Sequence, residues 1–75
     1  MKLILVNGKT LVKILNKRGF VLKRQKGSHV QLENNKDRRV TVPIHSKEIG
    51  RGLLGKILRD AEISREEYDK LRQEV

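Results

Sequence analysis

The chain has no cysteine and almost no aromatic side chains. Its 75 residues include neither cysteine nor tryptophan, and only one phenylalanine and one tyrosine. The lack of cysteine excludes a disulfide framework, a thiolate zinc site and a cysteine nucleophile, and it suits a reducing compartment. Since Phe20 and Tyr68 are the only aromatic residues, there is no platform for stacking unpaired bases. Any bound nucleic acid would be held through phosphate, sugar and shape.

Long apolar runs are missing as well. The longest, Leu3-Ile4-Leu5-Val6, falls far short of the roughly 20 residues of a membrane span and of the about 7–15 apolar residues in a signal peptide. We therefore expect no membrane partner and a cytoplasmic location. The length and the hydrophobic content of 36% predict a single domain over residues 1–75 with a small core.

Acidic residues are scarce in the first three-fifths of the chain. Lys and Arg number 18 against 9 Asp and Glu, giving a net charge of +9. Residues 1–45 hold 11 of the bases and two of the acids, whereas residues 46–75 hold seven of each. The whole excess therefore lies in residues 1–45. A charge of this size and asymmetry favours a polyanionic partner, and the alternative is an ordinary solvated basic surface.

Periodicity and turn chemistry predict an α-β-β-β-α order with a short terminal helix. Asn7 is a suitable N-cap for a first helix, Gly19 suits its left-handed end, and Ser64 with Glu67 forms a capping box for the last helix. The predicted helices cover residues 7–18, Leu53–Ala61 and Ser64 to about Gln73, and the predicted strands are Phe20–Gln25, His29–Glu33 and Arg39–Ile44. Their short connections make the sheet a three-stranded antiparallel meander, an α+β fold.

Alternation along the strands predicts one buried face and one open face. Phe20 and Leu22 should point inward with the apolar residues of the other two strands. Helices would cover that face. The polar residues expected on the open face are Lys23, Gln25, His29, Gln31, Arg39 and Thr41.

His29 is the strongest candidate for chemistry. Histidine titrates near neutral pH and serves as an acid or a base, and His29 follows a turn in which Gly27 could bring a backbone amide close to a phosphate. Arg24 and Lys26 would add positive charge where a phosphoryl group gains negative charge. This arrangement suits cleavage of RNA by in-line attack of the 2′-hydroxyl. The alternative is a surface histidine beside a hairpin turn.

Other candidate sites are weaker. His45 could be an acid–base partner of His29, or a strand-end residue bonded to its own backbone. Two histidines without a third ligand make a poor metal site, and we expect neither metal nor cofactor. Ser28 should face away from His29, which argues against a serine nucleophile. The segment Gly50-Arg51-Gly52 could hold phosphate at a helix N-terminus or be a flexible loop.

Several short motifs, in this order and spacing, resemble the HicA family, also called YcfA-like, of bacterial and archaeal toxin–antitoxin toxins. The resemblance spans roughly residues 7–68. The motifs are Gly19-Phe20, Arg24-Gln25-Lys26-Gly27-Ser28-His29, Val42-Pro43-Ile44-His45 and Gly52-Leu53-Leu54-Gly55-Lys56-Ile57-Leu58 with Ala61 and Ile63.

The resemblance implies a fold like the double-stranded RNA-binding domain and an mRNA-cleaving ribonuclease that is masked by a HicB antitoxin. The family's catalytic histidine falls on His29. A second histidine that often follows it is replaced here by Val30. The expected RNA contacts are Lys23, Arg24, Lys26, Gly27, Ser28 and Arg39, with His45 as an accessory. A non-catalytic RNA-binding module and a protein-interaction module are the alternative functions.

Overall fold

The computed structural model describes residues 2–45 and 47–75, which form a three-stranded antiparallel sheet and three helices. The strand order in the sheet is β1-β2-β3. The elements are α1 (Gly8–Lys17), β1 (Val21–Lys26), β2 (His29–Glu33), β3 (Arg39–Pro43), α2 (Arg51–Asp60) and α3 (Arg65–Arg72). The predicted α-β-β-β-α order with a short C-terminal helix, like that of a double-stranded RNA-binding domain, is confirmed.

The two predicted N-caps both form. The side-chain oxygen of Asn7 accepts a hydrogen bond from the Thr10 amide at 2.9 Å, and the Ser64 hydroxyl accepts one from the Glu67 amide at 3.1 Å. Each cap satisfies an amide that has no partner inside its helix. Local sequence therefore fixes the start of α1 and of α3.

The end of α1 explains why β1 begins one residue later than predicted. Gly19 has a φ of +85°, and its amide donates to the Asn16 carbonyl at 3.1 Å while the Phe20 amide donates to the Leu15 carbonyl at 3.0 Å. These two bonds are the Schellman arrangement. Phe20 therefore belongs to the helix cap, and the first strand residue is Val21.

The helices cover β2 and β3 but leave β1 exposed. Both α1 and α2 pack against β3, whereas every residue of β1 is exposed. Leu22 is opposite Leu32 and shares its face as predicted, but the prediction that it is part of the core is wrong, because 53% of its surface is exposed. Phe20 is buried as expected, ahead of the strand. The buried residues that β2 and β3 contribute are Val30, Leu32, Val40 and Val42.

A β-bulge in β1 changes which of its cations share a face with His29. Leu22 is opposite Leu32, but the next register pair is Arg24 with Gln31, so Lys23 is an extra residue. Beyond this bulge Lys26 is opposite His29 and Gln25 is opposite Val30. Directly opposed residues project from the same face of a sheet. The simple alternation that assigned Lys23 and Gln25 to the open face is therefore corrected to Arg24 and Lys26.

The N-terminal apolar run, for which the sequence predicted no element, is part of the core. Leu3 is buried, the Ile4 carbonyl accepts a hydrogen bond from the Tyr68 hydroxyl at 2.5 Å, and the Val6 carbonyl accepts one from the Ile49 amide at 2.9 Å. Burial raises the pKa of Tyr68 to about 12. This segment therefore joins α3 to the loop before α2.

Element bounds differ from the predictions by one or two residues elsewhere. Helix α2 begins at Arg51 rather than Leu53 and ends at Asp60, with Gly50 as an extended N-cap. Strand β3 ends at Pro43 rather than Ile44. Since Gly50 supplies no side-chain cap, the start of α2 carries no sequence signal of the kind that marks the other two helices.

Candidate active site

A two-residue turn places His29 at the start of β2. Gly27 and Ser28 join β1 to β2, and Gly27 has a φ of +60°. A glycine at the first of two turn positions is typical of the II′ hairpin turn, whose twist matches that of the strands. His29 lies opposite Lys26 on β1 and opposite Pro43 on β3. His29 therefore lies on the central strand, at the end of the sheet where Gly27 and Ser28 connect β1 to β2. We call this end the hairpin end.

Two cavities meet at His29 on the open face of the sheet. The first, which we call the cationic pocket, has a volume of about 470 Å³. It is lined by Arg24, Lys26, His29, Gln31 and Thr41. The second, which we call the α2 groove, has a volume of about 500 Å³. Its lining residues are His29, Gln31, Glu33, Arg39, Val40, Thr41, Pro43, Leu53, Lys56, Ile57 and Asp60. The residues common to both cavities are His29, Gln31 and Thr41.

The positive charge of the cationic pocket is not compensated. Among the described residues no carboxylate lies within 4.0 Å of the charged nitrogens of Arg24 or Lys26. Both side chains and His29 are exposed. An anion in this pocket would therefore meet two unpaired cations on the same face as an accessible imidazole.

The turn also offers a backbone donor. The Gly27 carbonyl accepts a hydrogen bond from the Gln25 side chain at 3.2 Å, whereas the Gly27 amide has no partner within residues 2–45 and 47–75. Apart from Gly27 itself and its two neighbours, no heavy atom of the described residues lies within 4 Å of the position that a Cβ would occupy there. The amide is therefore open to a ligand that approaches the turn.

The α2 groove carries charges of both signs. The Arg39 Nε atom is 3.5 Å from Glu33 Oε2, and Lys56 Nζ is 2.8 Å from Asp60 Oδ2. The hydrogen bond from Lys56 is the largest of the influences that lower the pKa of Asp60, and the charges of Lys56, Arg38 and Arg59 add to it. The groove therefore differs in chemistry from the cationic pocket beside it.

The structure brings together some of the predicted site residues and separates others. Arg24, Lys26 and His29 line one pocket, the turn of Gly27 and Ser28 adjoins them, and Arg39 lines the α2 groove. Lys23 lies in the bulge, and neither it nor His45 is among the described residues that line the two cavities.

His45 is exposed and lies two residues beyond the end of β3. Its role as an accessory residue stays a prediction. In the segment Gly50-Arg51-Gly52, Gly50 is the N-cap of α2 and the other two residues are inside the helix. Phosphate binding there also stays a prediction.

Sequence reasoning missed the contribution of α2 to the site. Leu53, Lys56 and Asp60 line the groove because they follow one another at helical spacing along the edge of α2 that faces β3. That spacing was visible in the sequence, but only tertiary packing shows which side of α2 meets the sheet. Outside Met1 and Ser46, no three His, Cys, Asp or Glu side chains are grouped as metal ligands would be.

Comparison with known proteins identifies the family. The family model described as "HicA toxin of bacterial toxin-antitoxin" matches residues 8–63, from the first residue of α1 to just beyond α2. A comparison with curated proteins finds no match. Within the described part of the chain, no helix is long and apolar enough to span a membrane. The matched segment contains the sheet, the turn at Gly27 and both cavities, and the chain belongs to the HicA toxin family of toxin–antitoxin systems.

Proposed function

We propose that this toxin is an endoribonuclease that cleaves mRNA without a metal ion and uses His29 as its general base. The observation that carries the proposal is the position of His29. It is an exposed imidazole at the junction of two cavities, opposite Lys26 in the register and beside Arg24 in the same pocket. The family match, which covers this whole region, supports a toxin role.

The proposed reaction is an in-line transfer within the RNA. His29 removes the proton from a 2′-hydroxyl, the 2′-oxygen forms a bond to the adjacent phosphorus, and the bond from phosphorus to the 5′-oxygen breaks. The products are a 2′,3′-cyclic phosphate and a 5′-hydroxyl end. General base catalysis of this kind contributes about 10²–10⁴-fold to a rate.

The surrounding groups act on the charge that develops at phosphorus. Lys26 and the unpartnered amide of Gly27 stabilise the additional negative charge of the phosphorane, while Arg24 holds a neighbouring phosphate. The further RNA contacts come from Lys23, Ser28 and Arg39. The leaving 5′-oxygen takes its proton from solvent water or from His45, which is exposed beyond the end of β3.

The proposed partners are mRNA and a HicB-type antitoxin, which meet the toxin in the cytoplasm. An antitoxin that covers the cationic pocket with acidic side chains would occupy the surface that binds RNA, and would thereby prevent RNA from binding. Because exposed charges are screened beyond a Debye length of about 8–10 Å near physiological salt, association with such an antitoxin should slow as salt is added. An association rate that does not change with salt would contradict this mode of masking.

The test is cleavage of a long RNA by purified protein in EDTA. We expect cyclic-phosphate ends from the natural chain and at least about a 100-fold lower rate from His29→Ala, because the general base is lost. His45→Ala in the same assay distinguishes His45 from solvent water as the donor of the proton that the leaving 5′-oxygen takes up. A large loss assigns the acid to His45, and an unchanged rate assigns it to water. Melting curves and antitoxin binding check that each variant is folded.

Three results would overturn parts of the proposal. Cleavage by His29→Ala at the natural rate would remove His29 as the base. RNA that is bound but left intact by the natural chain would indicate a non-catalytic RNA-binding module. RNA that is neither bound nor cut at physiological salt would indicate that the basic face serves only a protein partner.

A further inference from the structure

The α2 groove differs from a phosphate-binding surface in both its walls and its charges. One wall is the polar face of β2 and β3, and the other is the edge of α2 with Leu53 and Ile57. Leu53 is 41% exposed and Pro43 is partly buried. A flat ligand could therefore lie against an apolar strip while its edge meets polar side chains. Nucleobases that are pulled out of a strand are stacked on aromatic or apolar side chains and are recognised by hydrogen bonds to their edges.

The groove is continuous with the site of the proposed reaction. His29 lines it at one end and Glu33 lines it further along the same strand. The two residues are four positions apart, which corresponds to about 13 Å at the rise of a β-strand. A base at Glu33 would thus belong to a nucleotide near the cleaved bond and not to the reacting ribose itself.

Glu33 and Arg39 form the polar edge that such a base would meet. They are register partners across β2 and β3, and Glu33 Oε2 is 3.5 Å from Arg39 Nε. Within the described residues the Glu33 carboxylate accepts no hydrogen bond of its own, whereas the Asp60 carboxylate already accepts one from Lys56 at 2.8 Å. Oε1 of Glu33 is therefore unoccupied, and Oε2, which pairs with Arg39, keeps a second lone pair that can accept a hydrogen bond.

This order of acceptors and donor matches one nucleobase. An ionised carboxylate only accepts hydrogen bonds, and a guanidinium only donates them. Guanine presents two adjacent N–H donors, at N1 and N2, beside the O6 acceptor on its Watson–Crick edge. Adenine and cytosine each offer an amino group next to an acceptor, and uracil offers a single N–H between two acceptors. The carboxylate can therefore accept two hydrogen bonds from guanine while Arg39 donates to O6.

We propose that the α2 groove is a guanine-binding subsite in which Glu33 and Arg39 read a base close to the bond that His29 cleaves. The inference rests on the proposed function, since it takes single-stranded RNA as the ligand. It adds a sequence preference to a surface that otherwise contacts only phosphate and sugar. The cationic pocket would determine the path of the RNA backbone, and the α2 groove would determine which RNA sequence is preferred.

The test measures RNA binding separately from RNA cleavage. His29→Ala protein is titrated with short oligouridine strands that carry one central guanosine, inosine or adenosine. We expect about tenfold tighter binding of the guanosine strand than of the adenosine strand, with inosine in between because it lacks the N2 amino group. In the same background Glu33→Gln should erase the preference, because an amide offers one acceptor oxygen in place of two.

A matched substitution and the cleavage assay separate the possible outcomes. Glu66→Gln makes the same chemical change on exposed α3 and should leave the preference intact. Equal binding of the three strands, or a preference that survives Glu33→Gln, would overturn the subsite while leaving RNA cleavage by the natural chain unaffected. RNA that is bound with the guanosine preference but never cut would support the subsite and overturn the ribonuclease.

Discussion

The cations where α1 meets α3, which we call the helical side, differ from Arg24 and Lys26 at the hairpin end of the sheet in whether an acidic residue pairs with them. On the helical side, Arg18 is paired with Glu67, and Lys17 Nζ is 3.9 Å from Glu74 Oε1. At the β2–β3 turn, Arg38 Nε is 3.8 Å from Glu62 Oε1. In each pair a base from residues 1–45 meets an acid from residues 46–75. Arg24 and Lys26, at the other end of the sheet, have no such partner among the described residues.

This difference changes the electrostatic potential far more than it changes stability. An exposed ion pair contributes about 0–1 kcal/mol to stability, so the three pairs are a minor part of what holds the fold. They do cancel positive charge at Lys17, Arg18 and Arg38, whereas the charges of Arg24 and Lys26 beside His29 are not cancelled in this way. The acids of the C-terminal part thereby pair with bases away from the surface that we propose for RNA, and leave Arg24 and Lys26 on that surface without an ion pair among the described residues.

The largest expected effect compares two leucines that face each other across β1 and β2. Leu22 is opposite Leu32, yet Leu22 is 53% exposed and Leu32 is fully buried. Leu32→Ala should lower the free energy of unfolding by about 2–5 kcal/mol because it leaves a cavity. Leu22→Ala should change it by less than about 0.5 kcal/mol. Urea denaturation of both variants measures the difference.

The pair is informative because the two substitutions are chemically identical. If Leu22→Ala were as costly as Leu32→Ala, the helices would cover β1 as well, and the hairpin end would not be a separate, exposed region. If Leu32→Ala fails to fold, then Leu32→Val, which removes less volume, provides the comparison with Leu22→Val.

The same strand shows what sequence reasoning could and could not predict. Caps, turns and strand alternation follow local rules, so Asn7, Ser64 and the whole of β2 were predicted correctly from their neighbours. The bulge at Lys23 has no comparable signal, because an extra strand residue is defined only by the strand beside it. It moved Arg24 onto the face of His29, where alternation had placed Lys23.

Part of the candidate site likewise follows from local sequence, and part of it depends on tertiary packing. His29 and the turn before it were identified from adjacent residues, since a hairpin fixes its own geometry. The α2 groove depends on a separate helix, which begins eight residues after the end of β3 and packs against that strand. Neither the approach of Lys56 and Asp60 nor the free acceptors of Glu33 could be derived from residue spacing alone.

A smaller effect tests the contact between α1 and the strand next to His29. A Cβ added at buried Gly8 would overlap the Pro43 carbonyl oxygen, and Pro43 is the register partner of His29 on β3. Gly8→Ala should therefore cost about 1–3 kcal/mol through overpacking. Gly55→Ala is the matched control. Its nearest neighbour is a flexible Arg59 nitrogen at 3.7 Å, and the change should stabilise α2 by about 0.5–1 kcal/mol.

Thermal melting distinguishes these two variants by the sign of the shift. A domain of this size changes its melting temperature by about 4–8 °C for each kcal/mol. Opposite shifts are expected, downward for Gly8→Ala and upward for Gly55→Ala. A neutral Gly8→Ala would show that α1 and β3 can separate freely, which would contradict a rigid support beneath the hairpin end.

The smallest expected effect separates the position of a charge from its number. Arg24→Gln and Lys17→Gln each lower the net charge by one unit, but Arg24 lies in the cationic pocket and Lys17 is paired with Glu74. For oligouridine binding by His29→Ala protein, the slope of log affinity against log salt should become shallower by about 0.7 when Arg24 is replaced. This is the change expected for one lost phosphate contact on a single RNA strand. Lys17→Gln should leave the slope unchanged.

Equal losses would show that affinity follows total charge, and the contrast between the paired helical side and the unpaired hairpin end would then have no part in RNA binding. Unequal losses in the expected order would locate the phosphate path beside His29.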